Sequence, residues 1–275
     1  MKMETEKIIA VTGYEGRLGS ELIRLGCVPL ECDVSYSKQV KEATDEIGPD
    51  VIIHCAATTD VDGCENSLFQ EAMKVNVRGT QFVRHMFKGQ IIHLSTDYIF
   101  DGQNGPYSED AEPRPISHYG WTKNAAEEVI REYNYPTDVI VRTTILYGGN
   151  KPDFVTHILD QLQEGKEFTV TNAIIGNPTY MPHLAEAILK LLELQRPPRI
   201  VNIAGKDVIS RYDFATMIAR EFGYEEDLII PTGKHMNLFA RRPPKAGLKL
   251  NLARALGLSL YSVEEGLKAY KEKMK

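Results

Sequence analysis

The chain has 275 residues, of which 43% are hydrophobic and 25% are charged, as is typical of a soluble globular protein. Its formal net charge of −6 argues against general binding to nucleic acid or to an anionic membrane surface. No apolar run approaches the roughly 20 residues that span a bilayer. We therefore expect a cytoplasmic protein with no membrane and no nucleic-acid partner.

Short β-branched runs alternate with amphipathic stretches through the first half of the chain. Strand-like runs lie at residues 7–13, 50–57, 90–97 and 137–143, with a short VPLECDV segment after the first helix. Helical patterns lie at residues 17–25, 38–47, 67–87 and 117–132. Because apolar runs between helices are typical of strands buried on both faces, the pattern predicts a doubly wound parallel (Rossmann-like) α/β sheet. The apolar stretch ending at Gly13 is too short and wrongly flanked for a signal peptide.

The second half of the chain changes character. It predicts helices at residues 153–164, 183–194, 210–222 and 262–273, a strand at 199–205, and a mostly irregular segment at 231–250. Serines open the last two helices, and Ser210 is a suitable N-cap. We expect residues 1–150 to form the sheet domain, with later segments returning to it. Residues 151–275 are expected to form mainly a small lobe over the carboxyl edge of the sheet.

A glycine-rich turn separates the first strand from the first helix. Its residues are Gly13, Tyr14, Gly16, Arg17, Leu18 and Gly19. Glycine permits a tight turn and lets a pyrophosphate approach the backbone, while the helix N-terminus supplies amide donors. The spacing is not GxGxxG, so a purely structural turn remains an alternative, and the position at the first strand-to-helix junction favours the functional interpretation.

The four cysteines give no metal or disulfide pattern. They are Cys27, Cys32, Cys55 and Cys64. Without CxxC spacing or a nearby pair of histidines, we expect reduced, partly buried thiols and no metal site.

A tyrosine and a lysine lie four residues apart at the start of a predicted helix. Tyr119 and Lys123 therefore share one helical face. An ammonium near a phenol favours the phenolate, so Lys123 is expected to lower the tyrosine pKa toward the working pH of an acid–base catalyst. Thr96 ends a predicted strand, where open α/β sheets place ligand groups, and its hydroxyl suits a substrate carbonyl. A YxxxK spacing is common by chance, but the three elements together are specific.

These motifs resemble the extended short-chain dehydrogenase/reductase family, and within it the dTDP-4-dehydrorhamnose reductase branch. The similar segments are VTGYEGRLG, PDVIIHCAATTDVDGCE, KVNVRGT, HLSTDYIFDG, YSEDAEPRPISHYGWTK, RTTILYG, GNPTYMPHLAEAI, NIAGKDVISRYDFA and RRPPKAGLKL. The resemblance implies an NAD(P)-binding domain at 1–150, a substrate-binding lobe at 151–275, and hydride transfer to the 4-keto group of a nucleotide-linked deoxysugar.

The resemblance also implies a set of site residues. The implied catalytic residues are Thr96, Tyr119 and Lys123, with Asn76 supporting the lysine through a water. The implied cofactor-binding residues are Gly13, Tyr14, Gly16, Arg17, Leu18, Asp33, Val34, Ala56, Ala57, Thr58, Tyr119 and Lys123. The implied substrate-binding residues are Asp97, Tyr98, Tyr147, Arg241 and Arg242. Simpler interpretations are a helix residue bonding the nearby backbone for Asn76, turn capping for Asp97 and a solvated basic loop for the two arginines.

The region after the first helix departs from the family pattern. Only a short stretch separates Gly19 from the Asp33-Val34 segment, so the second strand is predicted to be truncated or fused with the next one. The sequence assigns neither the acidic residue that selects NAD nor the arginine that selects NADP after this strand. Arg17, in the glycine turn, favours NADPH over NADH as the cofactor.

Two other functions remain open at this point. The first is a nucleotide-sugar epimerase or dehydratase of the same fold, although Asp97 is followed by Tyr98 rather than by a second acid. The other is a non-catalytic, cofactor-binding regulatory subunit like that of methionine adenosyltransferase, a relative of the rhamnose reductases. The sequence leaves the hexose, its nucleotide and the oligomeric state open, with a homodimer as the commonest symmetric assembly.

Overall fold

The computed structural model of the protein describes residues 7–233 and 239–274. The strands are β1 (Ile9–Thr12), β2 (Val28–Pro29), β3 (Val51–His54), β4 (Gln90–Thr96), β5 (Val139–Thr143), β6 (Leu146–Tyr147), β7 (Phe168–Thr171), β8 (Ile175–Gly176), β9 (Thr179–Tyr180), β10 (Ile200–Asn202), β11 (Ile209–Ser210) and β12 (Ile229–Thr232). The helices are α1 (Arg17–Arg24), α2 (Ser37–Ile47), α3 (Val61–Cys64), α4 (Phe69–Ala72), α5 (Thr80–Met86), α6 (His118–Tyr133), α7 (Phe154–Gln163), α8 (Met181–Leu191), α9 (Arg211–Phe222), α10 (Asn251–Ala255) and α11 (Val263–Lys273).

Within these ranges, the main sheet has six strands in the order β10-β5-β4-β3-β1-β2. Every neighbouring pair in it is parallel. The chain winds outward from β1 to β2 on one side and to β3, β4 and β5 on the other, which confirms the doubly wound prediction. Among the described helices, none has the length and apolar character to cross a membrane.

The sheet is buried on both faces because successive residues of a strand point to opposite sides. In β3, Ile53 packs into the layer that contains α1 and α8, while Ile52 packs into the layer that contains α2 and α5. Both isoleucines are fully buried, and each contributes about 1.5–3 kcal/mol of hydrophobic stabilisation. The continuous apolar runs of the sequence are therefore the physical cause of this architecture.

A second apolar cluster forms the C-terminal lobe. It is built from α7, β7, α9, β12 and α11. The chain also returns to the main sheet after residue 150, since β10 extends the sheet and α8 and α10 pack on it. Ser210 and Ser262 cap α9 and α11, as predicted. The division at residue 150 stays a prediction, and residues 234–238 of the predicted irregular segment lie outside the described ranges.

The second strand is as short as the sequence predicts. β2 contains two residues and forms an edge of the main sheet. The chain then runs directly to α2, and Val34 packs into the core on that side of the sheet. The helix predicted at residues 67–87 contains a π-helical segment, Met73–Gly79, between α4 and α5.

Candidate active site

A cleft of about 740 Å³ lies at the carboxyl ends of β1, β3, β4 and β5. Open parallel sheets place their ligands at this edge. The predicted site residues that line it are Gly13, Gly16, Arg17, Leu18, Ala57, Thr96, Asp97, Tyr98, Tyr119 and Lys123. The fold therefore brings the glycine turn, the end of β4 and the tyrosine–lysine pair to one cavity.

The glycine turn is shaped by close backbone contacts. Gly13 has φ +64°, and a Cβ there would lie 2.7 Å from the backbone of Ala56. A Cβ on Gly19 would lie 2.2 Å from the carbonyl oxygen of Gly13. Gly16 is the N-cap of α1, and no side chain caps the helix. The start of α1 lines the cleft and has no side-chain cap, an arrangement that suits an anion.

Tyr119 lies in the first turn of α6, directly beside Thr96. Its side chain is 8% exposed, and it interacts with the Thr96 side chain. Burial raises the pKa of Tyr119 and outweighs the hydrogen bond from Thr96. The expected lowering of this pKa toward neutral pH is therefore wrong, because burial raises it. The phenol is therefore neutral and carries a proton to donate.

Lys123 is buried one helical turn beyond Tyr119. Its Nζ donates a hydrogen bond to the carbonyl oxygen of Leu94, at 2.6 Å. Burial lowers its pKa to about 8, against the opposing influence of Glu127 and Cys55. The lysine is thus held under the carboxyl end of β4, with its charge sensitive to pH in the neutral-to-alkaline range.

Asp97 fixes two hydroxyl groups at the end of β4. One carboxylate oxygen accepts a hydrogen bond from Thr144 Oγ1 at 2.6 Å, and the other accepts one from Thr96 Oγ1 at 3.2 Å. Burial raises the pKa of Asp97 to about 6, although both hydrogen bonds oppose the shift. The capping role belongs to Thr96, whose Oγ1 accepts from the Tyr98 amide. Asp97 instead orients the Thr96 hydroxyl at the cleft.

Asn76 lies in the π-helical segment and joins two walls of the site. Its amide oxygen accepts from the Thr58 amide at 2.8 Å, and its Nδ2 donates to the Thr58 carbonyl and to Thr122 Oγ1. π-Helical segments are frequent at functional sites. Asn76 thereby ties the loop after β3 to the residue preceding Lys123, and its predicted water relay stays a prediction.

The RmlD substrate binding domain model matches residues 7–275. The chain belongs to the RmlD family. The dTDP-4-dehydrorhamnose reductase of Mycobacterium tuberculosis (strain ATCC 25618 / H37Rv) is 30% identical over 276 residues, covering 94% of this chain and 89% of that protein. The spore coat polysaccharide biosynthesis protein SpsK of Bacillus subtilis (strain 168) is 30% identical over 275 residues, covering 95% and 96%.

Two further similar proteins bear on the function. Methionine adenosyltransferase 2 subunit beta of Danio rerio is 30% identical, covering 92% of this chain and 86% of that protein. A solved dTDP-4-dehydrorhamnose reductase from Bacillus anthracis, in complex with NADP, superposes with a TM-score of 0.91 and 28% identity, covering 98% of this chain and all of that one. The resemblance to extended short-chain dehydrogenase/reductases is confirmed, and the chain is an oxidoreductase that uses NAD(P)H.

Some of the residues that the RmlD resemblance implies lie outside the cleft. Tyr147 does not face the cleft as expected, because its fully buried ring packs in the C-terminal lobe against Tyr180 and Phe214. The carboxylate of Asp33 accepts two hydrogen bonds from Ser35, and its adenine contact stays a prediction. The cofactor-binding roles implied for Tyr14, Val34, Ala56 and Thr58 also stay predictions.

The two arginines of the RmlD-family segment RRPPKAGLKL differ in their surroundings. Arg241 is exposed. Arg242 forms a two-pronged ion pair with Asp62, at 2.9 and 2.8 Å, and also interacts electrostatically with the Tyr98 side chain. Sequence reasoning missed Arg211, at the first position of α9, which interacts electrostatically with Tyr98 and Asp97. Its signal was an arginine directly after a capping serine.

A Gly19→Ala substitution tests the glycine turn of this RmlD-family chain. Because the new Cβ would meet the Gly13 carbonyl, the turn must shift, and we expect the free energy of unfolding to fall by about 3 kcal/mol. Urea unfolding measures the loss. Gly233→Ala is the control, since nothing lies within 4 Å of its Cβ position, and should change stability by less than about 0.5 kcal/mol. Equal effects would contradict the steric argument.

Proposed function

We propose that this chain reduces the 4-keto group of a nucleotide-linked deoxysugar, in the manner of a dTDP-4-dehydrorhamnose reductase. The observation that carries the proposal is the meeting of Thr96, Tyr119 and Lys123 in one cleft beside an uncapped helix N-terminus. A neutral phenol suits the reductive direction, in which the sugar oxygen must gain a proton. The similarity to reductases of this family supports the same reaction.

The glycine turn fits a dinucleotide cofactor. A Cβ at Gly13 or Gly19 would collide with the backbone, so the turn presents bare amides, and the first turn of α1 is left for an anion. These amides would hold the pyrophosphate, and Lys123 would bond the nicotinamide ribose. When bound, the reduced nicotinamide supplies the hydride.

The remaining chemistry belongs to side chains of the chain itself. Tyr119 donates its phenolic proton to the sugar oxygen as the ketone becomes an alcohol. Before substrate binds, the Thr96 hydroxyl donates its single proton to the Asp97 carboxylate at the end of β4. In the complex it turns this proton to the same sugar oxygen and holds that oxygen in line. Each group therefore acts at the one oxygen where negative charge develops.

Cofactor affinity should depend on pH through Lys123. Burial lowers its pKa from 10.5 to about 8, so the free protein loses the ammonium as pH rises through about 8. If the ammonium is the form that bonds the ribose, NADH affinity should fall about tenfold per pH unit above that value. Titration with NADH is the measurement, because NADH lacks the 2′-phosphate that itself titrates.

A Lys123→Met variant provides the control for this pH dependence. It should bind NADH more weakly and with an affinity that is flat from about pH 7 to about pH 9, because the titrating group is gone. A wild-type affinity that is equally flat would contradict the assigned role of Lys123. The Cys55 thiol beside it does not interfere, since burial raises its pKa to about 12.

Two guanidinium groups support a diphosphate-linked substrate. Arg211 and Arg242 lie near Tyr98, close enough for the charge of Arg242 to lower the pKa of Arg211, after the larger effect of burial. Asp62 already pairs with Arg242, but the two partly buried guanidinium groups repel each other, and an anion bound between them would relieve this repulsion. The diphosphate of a sugar nucleotide has the charge and the donor preference that this pair offers.

The experiment uses dTDP-4-keto-6-deoxy-L-mannose with NADPH and with NADH. Loss of the absorbance of the reduced nicotinamide, with a product two hydrogen masses heavier, supports the proposal. The same assay with the UDP-linked keto-sugar measures the contribution of the nucleotide. No oxidation of either cofactor by folded protein that binds the cofactor would overturn the proposed reaction.

The 30% identity to methionine adenosyltransferase 2 subunit beta favours one alternative, a cofactor-binding regulatory subunit. A regulatory subunit should form a complex with a partner enzyme and leave the keto-sugar unchanged. Size-exclusion chromatography with the methionine adenosyltransferase of the same organism, run beside the reductase assay, separates the two functions. The complete Thr96, Tyr119 and Lys123 set favours the reductase.

A further inference from the structure

The edge strand β2 carries a carboxylate at its end. Parallel pairing places Ala10 opposite Val28 and Val11 opposite Pro29, and the Leu30 amide donates to the Val11 carbonyl at 2.9 Å. Continued two residues beyond the paired ones, this register would bring Glu31 level with Gly13, and the charge of Glu31 acts on the adjacent Tyr14. Glu31 is exposed and lies eighteen residues after Gly13. In dinucleotide-binding sheets, an acidic residue about 20 residues into the motif, after this strand, bonds the ribose 2′-hydroxyl.

The charges around this position are negative. Glu31 and Glu15 raise the pKa of Tyr14, the residue after Gly13, in addition to its desolvation. Residues 25–37 contain no lysine, arginine or histidine. A 2′-phosphate at the end of β2 would therefore meet carboxylates and find no cation in this segment.

Arg17, the one basic residue of the glycine turn, points elsewhere. Its Nη2 donates to the Pro152 carbonyl at 2.7 Å, in the loop after β6. That loop belongs to the side of the cleft that Lys151 lines, whereas β2 lies at the opposite edge of the sheet. Asp33 is also engaged, since its carboxylate accepts two hydrogen bonds from Ser35. Glu31 is thus the carboxylate at the strand end with no hydrogen-bond partner among the described residues.

We infer that Glu31 bonds the adenosine ribose hydroxyls and makes this chain an NADH-preferring member of the family. The inference deepens the proposed function and replaces the preference for NADPH that Arg17 suggested. The carboxylate accepts hydrogen bonds from both ribose hydroxyls of NADH and repels the 2′-phosphate of NADPH. The truncated second strand therefore keeps a cofactor-selecting residue, in the position that the register defines.

The test compares the Kd values of NADH and NADPH for the purified protein without substrate. Wild-type protein should bind NADH at least about tenfold more tightly, as expected for loss of a hydrogen bond to a charged group and repulsion of the phosphate. Glu31→Gln should weaken NADH binding, strengthen NADPH binding and bring the ratio near one. Glu15→Gln is the matched control, because it removes the same charge nearby and should keep the preference.

Each outcome decides the inference. A ratio that favours NADPH, or one that Glu31→Gln leaves unchanged, overturns it, and so does binding of neither cofactor. If Glu31→Gln and Glu15→Gln reduce the preference for NADH equally, the preference comes from the overall negative charge of the region, which also overturns the inference. Preference for NADH that depends on Glu31, in protein that fails to reduce the keto-sugar, supports the inference while the proposed reaction fails.

Discussion

Replacing Tyr119 by phenylalanine is expected to lower kcat for keto-sugar reduction on the order of a thousandfold. The Tyr119 phenol lies beside Thr96 and burial holds it in its neutral form, and general acid catalysis contributes roughly 10²–10⁴-fold. The ring itself remains, so packing in the cleft is preserved. Steady-state kinetics with the keto-sugar measure the loss, and NADH titration of the same variant separates a loss of the proton donor from a loss of cofactor binding.

Tyr98→Phe is the matched control for this variant. Its ring meets that of Tyr119 edge-on, with 5.7 Å between the centroids, so it removes a phenol from the same cleft. We expect a loss of about tenfold or less, because the proposed reaction takes its proton from Tyr119, and Tyr98→Phe removes at most one hydrogen bond. Equal losses in the two variants, or retention of more than about a tenth of the activity by Tyr119→Phe, would contradict the assignment.

The sheet, and the meeting of the site motifs at its carboxyl edge, could be predicted from the sequence. Strands buried on both faces need continuous apolar runs, so the segments VIIH and IIHL predict β3 and β4. The glycine turn and the YxxxK spacing depend on local geometry alone. Since the carboxyl ends of parallel strands share one edge, the meeting of Thr96, Tyr119 and Lys123 follows from their places in the chain.

The direction of individual side chains could not be predicted in the same way. Tyr147 follows β5 closely, as a substrate-facing residue would, but Ile145 between them has φ +45°. This backbone conformation is unusual for a β-branched residue, and no periodic pattern signals it. The Tyr147 ring is then directed into the core of the C-terminal lobe. Arg211 shows the converse, since the fold brings a helix-opening residue to Asp97 and Tyr98.

The pKa values of the site residues also could not be predicted from sequence spacing. A lysine one helical turn from a tyrosine suggests a lowered phenol pKa, but burial of the Tyr119 ring raises that pKa instead. Spacing gives the neighbours of a group, whereas burial is a property of the completed fold. The position of Glu31 could not be predicted for a related reason. The two-residue β2 gives no strand pattern in the sequence, and only the structure gives its register with β1.

The second large effect is expected from a buried carboxylate beneath the site. Glu127 lies on α6 and is fully buried. It accepts hydrogen bonds from Ser95 at 2.5 Å and from Arg142 at 2.9 and 2.8 Å, and Arg131 bonds it from the surface at 2.6 Å. Ser95 precedes Thr96, so this network holds α6 and the end of β4 together.

Glu127→Gln should lower the free energy of unfolding by about 3 kcal/mol, because it leaves the buried charge of Arg142 without its counter-ion. Domains are typically stable by only about 5–15 kcal/mol, so this loss is large. Urea unfolding at neutral pH is the measurement. Arg131→Gln is the control, because its side chain is 38% exposed and water screens the pair it forms, and should cost less than about 1 kcal/mol.

The pH dependence of stability provides an independent check on Glu127. Burial alone would raise its pKa, but the hydrogen bonds and charge of Arg142, with the Ser95 hydroxyl, lower it on balance. A carboxyl group with a lowered pKa stabilises the fold above its unfolded value of about 4.3, and this contribution disappears as pH falls through the folded value. The wild-type protein should therefore lose more stability than Glu127→Gln between neutral and acidic pH. If Glu127→Gln instead unfolds within about 1 kcal/mol of wild type at neutral pH, the carboxylate does not balance the Arg142 charge. Should the single variant fail to fold, Glu127→Met combined with Arg142→Met removes both charges and should recover a folded protein.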